Sequence, residues 1–126
     1  MRRSLTDQQA ALLRALGHPA RLRIIQFLAE GEGCTGKGCR GERCVCEIIP
    51  ALGMEQSSVS KHLAILRERG VVESRRDGTR IFYSLVDPRV LEILRLSEEV
   101  TLGHLARAER LLAEARTAAG TVDIPG

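Results

Sequence analysis

Between Gly33 and Glu47 the chain reads GCTGKGCRGERCVCE, and all four of its cysteines, Cys34, Cys39, Cys44 and Cys46, fall inside it. Thiols at this density bind a soft metal or metalloid ion, cycle between dithiol and disulfide, or fill a core. The spacing C-x4-C-x4-C-x-C departs from the paired C-x2-C patterns of common zinc modules, which argues against a purely structural zinc staple. A redox or persulfide switch is a second reading, with Cys34 and Cys39 close enough in a glycine-rich loop to form a disulfide. Core filler explains one buried cysteine but not two beside two more. A soft ion fits the composition best. Four thiols leave both three-sulfur and four-sulfur coordination of such an ion open. Lys37 and Arg43 stand where a cation would favour thiolates.

The pair Cys44-Val45-Cys46 carries a geometric condition. In a regular helix, residues i and i+2 lie about 200° apart, so their thiols point away from each other. In an extended segment they share a face. One ion joins both only if the helix start is unwound. Metal binding here would therefore deform whatever helix the pair begins.

Positioning these thiols falls to a mostly helical chain. Ser4 or Thr6 caps a first helix bearing Leu12, Leu13 and Leu16 and ending at Gly17. His18-Pro19 starts a second, with proline in its favoured first position, Leu22, Ile25 and Leu28 on its apolar face and Gly31 at its end. Five glycines, at 31, 33, 36, 38 and 41, exclude regular structure from the cysteine loop and give it the freedom to wrap a ligand. A short third helix is expected from about Cys44 to Leu52, with Val45, Ile48 and Leu52 inward and Pro50 shortening or kinking it. After Gly53, a fourth helix runs from about Ser57 to Arg69 on Val59, Leu63 and Leu66, and Gly70 stops it. VVESRR-DG-TRIFYSL then changes the period to that of a β-hairpin, with Asp77-Gly78 as its two-residue turn. Asp87-Pro88 opens a last helical region, one long helix or two broken near Gly103. The expected layout is a single domain over 1–117, with a helix-turn-helix at about 44–70, a wing at about 71–85 and C-terminal helices at about 88–117. Residues 118–126 form a frayed tail.

A short helix, a glycine turn and a second helix with polar groups opposite its apolar face make a helix-turn-helix, and the hairpin makes it a winged one. Gln56, Ser57, Ser58, Ser60, Lys61 and His62 are the short polar or cationic groups that a reading helix offers the major groove. Arg75, Arg76 and Arg80 surround the hairpin turn, where phosphate or minor-groove contact is natural. A solvated polar face would explain the fourth helix alone, but not the whole ordered set of signals.

The bulk numbers agree. Net charge is +3, and the 44% apolar content includes only 2% aromatic residues. The core must be aliphatic, and the aromatics Phe27, Phe82 and Tyr83 are too few for a base-stacking single-strand binder. No apolar run approaches the ~20 residues of a membrane span, and MRRSLTDQQAALLRALG turns polar too soon for a signal peptide. The expectation is a cytoplasmic protein with reduced thiols. No thiol has a histidine partner by motif, and GEGCTGKGCRG lacks the GK[ST] ending of a nucleotide loop and follows a helix rather than a strand, so an enzyme is not indicated.

Taken together, HPARLRIIQFL, CVCEI and SSVSKHLAILRERGVVESRRDGTRIFYSL resemble the ArsR/SmtB family of bacterial metal-responsive repressors across about residues 10 to 100. The resemblance implies a mainly α, winged helix-turn-helix homodimer joined through its first and last helices. It also implies an inverted-repeat operator in double-stranded DNA, released when an inducer binds, and a twofold dimer reading two half-sites is what the motif geometry predicts too. Cys44-Val45-Cys46 resembles the CVC box of arsenite-sensing and cadmium/lead-sensing members. The third cysteine of arsenite sensors is replaced by Ile49, so the missing ligand is expected from Cys34 or Cys39. As(III) or Sb(III) is the expected inducer, with Cd(II), Pb(II) or Zn(II) as the alternative. The zinc site that other members carry on the last helix is not expected, because Asp87 is followed by Pro88 and Arg89, and Val100 and Gly103 stand downstream. His104 reads as a surface or interface residue, and His18 as a helix-capping one.

Overall fold

The computed structural model describes residues 4–31 and 41–122, so Cys34, Lys37 and Cys39 lie outside the described residues. The elements are α1 (Leu5–Leu16), α2 (Pro19–Ala29), β1 (Glu42–Cys44), α3 (Val45–Leu52), α4 (Gln56–Glu68), β2 (Val72–Asp77), β3 (Arg80–Leu85) and α5 (Arg89–Val122). They group into two compact units, one reaching Leu91 and the other starting at Glu92.

The helix starts follow from local chemistry. Ser4 caps α1 in a reciprocal box with Asp7. His18 caps α2 through Nδ1, which accepts from the Ala20 N–H at 3.1 Å, and Pro19 holds the first position. α3 closes at Gly53, whose φ of +62° is the left-handed conformation that glycine adopts at least cost. Pro50 sits inside α3 without ending it, and the helix continues to Leu52. The first unit is built on aliphatic side chains as expected: Ile24, Ile25 and Leu28 of α2, Ile48 of α3, Val59, Leu63 and Leu66 of α4, and Val71, Val72 and Leu85 flanking the wing are fully buried.

Four expectations are corrected. The third helix begins at Val45, because Cys44 is extended (φ −70°, ψ 143°) and serves as its cap. Cys44 also ends a strand that no pattern in the sequence marked: β1 pairs antiparallel with β3, Glu42 opposite Ser84, Arg43 opposite Tyr83 and Cys44 opposite Phe82, giving the sheet order β1-β3-β2. The hairpin turn is Gly78-Thr79 rather than Asp77-Gly78, because Asp77 pairs with Arg80. This register puts the two buried residues Val72 and Leu85 opposite each other, and burial of one face sets register more strongly than the turn dipeptide. Finally, the last helix runs to Val122, past the expected limit at 117; of the two layouts expected for it, the structure has the single helix through Gly103.

In the second unit, α5 exposes Leu96, Val100, Leu102, Leu105, Leu111 and Leu112. In the first, Leu5 and Leu13 of α1 are likewise exposed.

Candidate nucleic-acid interface and thiol site

Helix α4 divides its residues by periodicity. Val59, Leu63 and Leu66 face the core, Ser57, Ser60 and Lys61 are exposed together away from it, and Gln56 is exposed at the first turn. Ser58 is half-buried on the flank. Its cap residue, Glu55, makes no side-chain cap bond, so the first N–H groups of α4 keep their positive end open beside Gln56 and Ser57. This is the face of α4 that a groove of DNA would meet.

His62 is placed differently from the other predicted contact residues. It is half-buried, its ring centroid lies 4.5 Å from that of His18, and its Nδ1 accepts from Arg21 Nε at 3.2 Å. Arg21 also donates through Nη1 to the carbonyls of Arg14 (3.5 Å) and Ala15 (3.3 Å) at the end of α1. His62 thus ties α4 to α2 and, through Arg21, to α1. Burial lowers its pKa, and the charges of His18, Arg21 and Lys61 lower it further, so the neutral ring that accepts from Arg21 is the favoured form. The sequence offered no signal for this three-helix tie, because Arg21 and His62 are far apart along the chain.

On the wing, the three predicted arginines separate into two kinds. Arg76 and Arg80 are exposed, and their side chains carry no ion pair or hydrogen bond among the described residues. Arg75 is committed. Its Nη2 and Nε donate to the two carboxylate oxygens of Glu42 at 2.6 and 3.1 Å, and its guanidinium lies 4.7 Å from the Phe82 ring centroid. Hydrogen bonding from Arg75 lowers the Glu42 pKa, and the same bond raises that of Arg75.

Cys44 and Cys46 meet at the start of α3. The structure joins them as a disulfide across one residue, with their Cα atoms 5.1 Å apart. Because Cys44 is extended rather than helical, the two side chains converge, which is the condition the pair required. Cys44 Sγ accepts from the Cys46 N–H at 3.2 Å, and Glu47 Oε1 accepts from the Cys44 N–H at 3.1 Å, so a sulfur takes the place of the usual capping oxygen. Cys44 is buried and Cys46 exposed.

Arg43 does not serve these thiols as expected. Its Nε and Nη2 donate to the carbonyls of Phe27 (3.1 Å) and Glu30 (3.0 Å), its Nη1 to Glu47 (3.3 Å), and its guanidinium covers the Phe27 ring at 4.0 Å. No cluster of three or more metal-ligating side chains forms among the described residues. At the other position considered, the Asp87 carboxylate is taken up by Arg89 at 2.7 to 3.1 Å, and those bonds hold its pKa down to about 2.

The two feet of the cysteine loop are pinned. A β-carbon at Gly41, whose φ is +65°, would overlap the Leu28 carbonyl oxygen, and one at Gly31 would lie 2.7 Å from the Glu42 nitrogen. Only glycine permits this approach of the end of α2 to the start of β1.

Comparison with known proteins gives the following. Residues 39–74 match the family described as bacterial regulatory protein, arsR family. An uncharacterized HTH-type transcriptional regulator of Methanocaldococcus jannaschii is 40% identical over 94 residues, 75% of this chain and 96% of that protein. A probable mercury resistance operon repressor of Streptomyces lividans is 38% identical over 91 residues, 72% of this chain and 65% of that protein. The solution structure of a homodimeric winged helix-turn-helix DNA-binding domain from Mycobacterium bovis, a possible ArsR-family regulator, superposes with a TM-score of 0.66 at 35% identity, covering 82% of this chain and 86% of that one.

Proposed function

Because the chain belongs to the arsR family of bacterial regulatory proteins, we propose that it is a repressor whose hold on DNA is released by a thiophilic ligand at Cys44 and Cys46. It is a DNA-binding transcriptional repressor with a winged helix-turn-helix fold. The observation that carries the finer reading is the convergence of the Cys44 and Cys46 sulfurs at the cap of α3, the first helix of the DNA reader. A ligand that draws on Cys44 Sγ competes with the Cys46 N–H for the same sulfur lone pairs. It therefore loosens the start of α3, and α4 follows because α3 and α4 share the core around Ile48 and Leu63.

The donor set fits a soft ion that accepts two sulfurs from this box and a third from the loop. Cys34 lies three residues beyond the pinned Gly31 and Cys39 two before the pinned Gly41, so chain length alone keeps their Cα atoms within about 11 Å and 7 Å of those feet. Those feet abut Glu42, two residues from Cys44. As(III) or Sb(III) on three thiols is the favoured inducer, and Cd(II), Pb(II) or Zn(II) on four is the alternative. The protein acts as a homodimer on an inverted-repeat operator in double-stranded DNA, and the exposed leucines of α1 and of α5 are the surfaces expected to join the copies.

A second reading is favoured by the pairing of the two sulfurs: a peroxide-class oxidant takes one thiol to the sulfenic acid with release of water, and the other thiol displaces a second water to close the disulfide. One experiment separates them. Reduced protein is titrated with arsenite, and separately with cadmium, while free thiols and thiolate-to-metal absorption are followed. Loss of three thiols per chain with arsenite supports the metalloid reading, and loss of four with cadmium supports the divalent one. Thiols that neither ion protects, but that an oxidant closes pairwise with loss of DNA binding, establish the redox switch instead.

A further inference from the structure

Strand β1 connects the thiol box to the wing as well as to α3. By register, Cys44 and Glu42 of β1, Phe82 of β3 and Arg75 of β2 all fall on one face of the sheet. β1 is an edge strand of only three residues, so its three pairs with β3 are easily given up. β1 and β2 are not neighbours, and β3 lies between them. The bidentate bond from Arg75 to Glu42 spans that gap, over the Phe82 ring. It makes the outer strand of the wing depend on where β1 sits, and where β1 sits depends on the bonding of Cys44.

We propose that Glu42 is a positioning residue that transmits the state of Cys44 and Cys46 to the DNA-binding wing by holding Arg75 across the sheet. This rests on the thiol-switch reading above and adds a second route to it: ligation of Cys44 shifts β1, Glu42 moves with it, and the β2–β3 hairpin loses the anchor of Arg75. The route through α3 and α4 remains, so loss of Glu42 weakens the response without abolishing it.

The test compares the reduced parent chain with Glu42→Gln, which keeps the shape and a neutral hydrogen bond but removes the charge. DNA affinity is measured by anisotropy on a duplex selected from random sequence by the ligand-free protein, with and without arsenite. Thiol loss is counted in parallel. Emission of Tyr83, the single tyrosine, reports the β1–β3 contact because Tyr83 faces Arg43 of β1. The expected result is that Glu42→Gln loses the same number of thiols and shows the same Tyr83 change as the parent. Its arsenite-driven loss of DNA affinity should be about three- to fivefold smaller, the scale of an exposed but bidentate ion pair. Arg75→Gln, which removes the other partner, should reduce the response by a similar factor. Full release from both variants overturns the wing route while leaving the thiol switch intact. A Tyr83 signal that arsenite does not move in the parent also overturns it. Arsenite that neither consumes thiols nor releases DNA from the parent overturns the thiol-switch reading and this route with it.

Discussion

Replacing Arg76 and Arg80 by alanine should flatten the salt dependence of DNA binding far more than replacing Arg75. Arg76 and Arg80 are exposed on the two strands of the wing and their side chains have no partner among the described residues, whereas Arg75 is occupied by Glu42. A cation that neutralises one phosphate contributes about 0.9 to the slope of log affinity against log salt. In the proposed twofold dimer each residue occurs twice, so one substitution lowers the slope by about 1.8 and the pair by about 3.6. Over a fourfold rise in salt, from about 50 to 200 mM, the double variant should therefore lose about 150-fold less affinity than the parent does. Arg75→Ala should change the slope by less than one, since the charge it removes is already compensated in the free protein. Anisotropy titrations of a selected duplex at several salt concentrations read these slopes directly. Should Arg75→Ala flatten the slope as much as Arg76→Ala, the Glu42 pair must open on DNA, and Arg75 is then as available to phosphate as Arg76. No change in the double variant would remove the wing from the interface altogether.

Three further outcomes are expected. Cys44→Ser/Cys46→Ser should fold and bind DNA within a few-fold of the parent, because serine is itself a preferred cap for α3, yet it should no longer release DNA with arsenite; release by this variant would place the ligand elsewhere. Gly41→Ala should cost at least about 2 kcal/mol in denaturant unfolding, combining a left-handed residue with a clash on the Leu28 carbonyl, and a neutral result would mean that the loop foot is not pinned. His62 has a folded pKa held below its ordinary 6.5, so the unfolded chain takes up that proton first. The stability it contributes is complete above pH 6.5 and is lost as the pH falls below it. Thermal unfolding on either side of that pH should show a decline that His62→Gln, which keeps an acceptor for Arg21, reduces; an unchanged decline would assign it to other groups.

What was legible in the sequence was whatever repeats with a period or follows from one residue's backbone preference. The apolar spacing of Val59, Leu63 and Leu66 fixed α4 to within a residue of its observed ends, and Ser4, Pro19, Gly53 and Gly70 marked boundaries by their own conformational rules. The wing arginines and the exposed face of α4 followed from the same logic. Gly103 was ambiguous because glycine in a helix costs only about 1 kcal/mol relative to alanine, too little to decide whether α5 breaks. Here nothing lies within 4 Å of a β-carbon placed at Gly103, so no packing demand breaks the helix there.

The features that organise the site were the ones without a pattern. Glu-Arg-Cys is too short and too polar to read as a strand; it becomes one because β3 offers a free edge and because Gly31 and Gly41 bring the end of α2 against it. Its consequences run against intuition from composition. Arg43, adjacent to the cysteines in sequence, alternates to the other face of the strand and binds the end of α2. Glu42, which carries the wrong charge to favour a thiolate, reaches across the sheet to the wing. Sequence proximity therefore placed Cys44 and Cys46 together but misassigned the charges around them, because a strand sends neighbours in opposite directions. The two-residue spacing of Cys44 and Cys46 acquires its meaning in the same way. It is incompatible with a shared ligand in a helix and natural at a strand-to-helix junction, and the junction is what places a chemical event on sulfur at a point where the reading helices and the wing both begin.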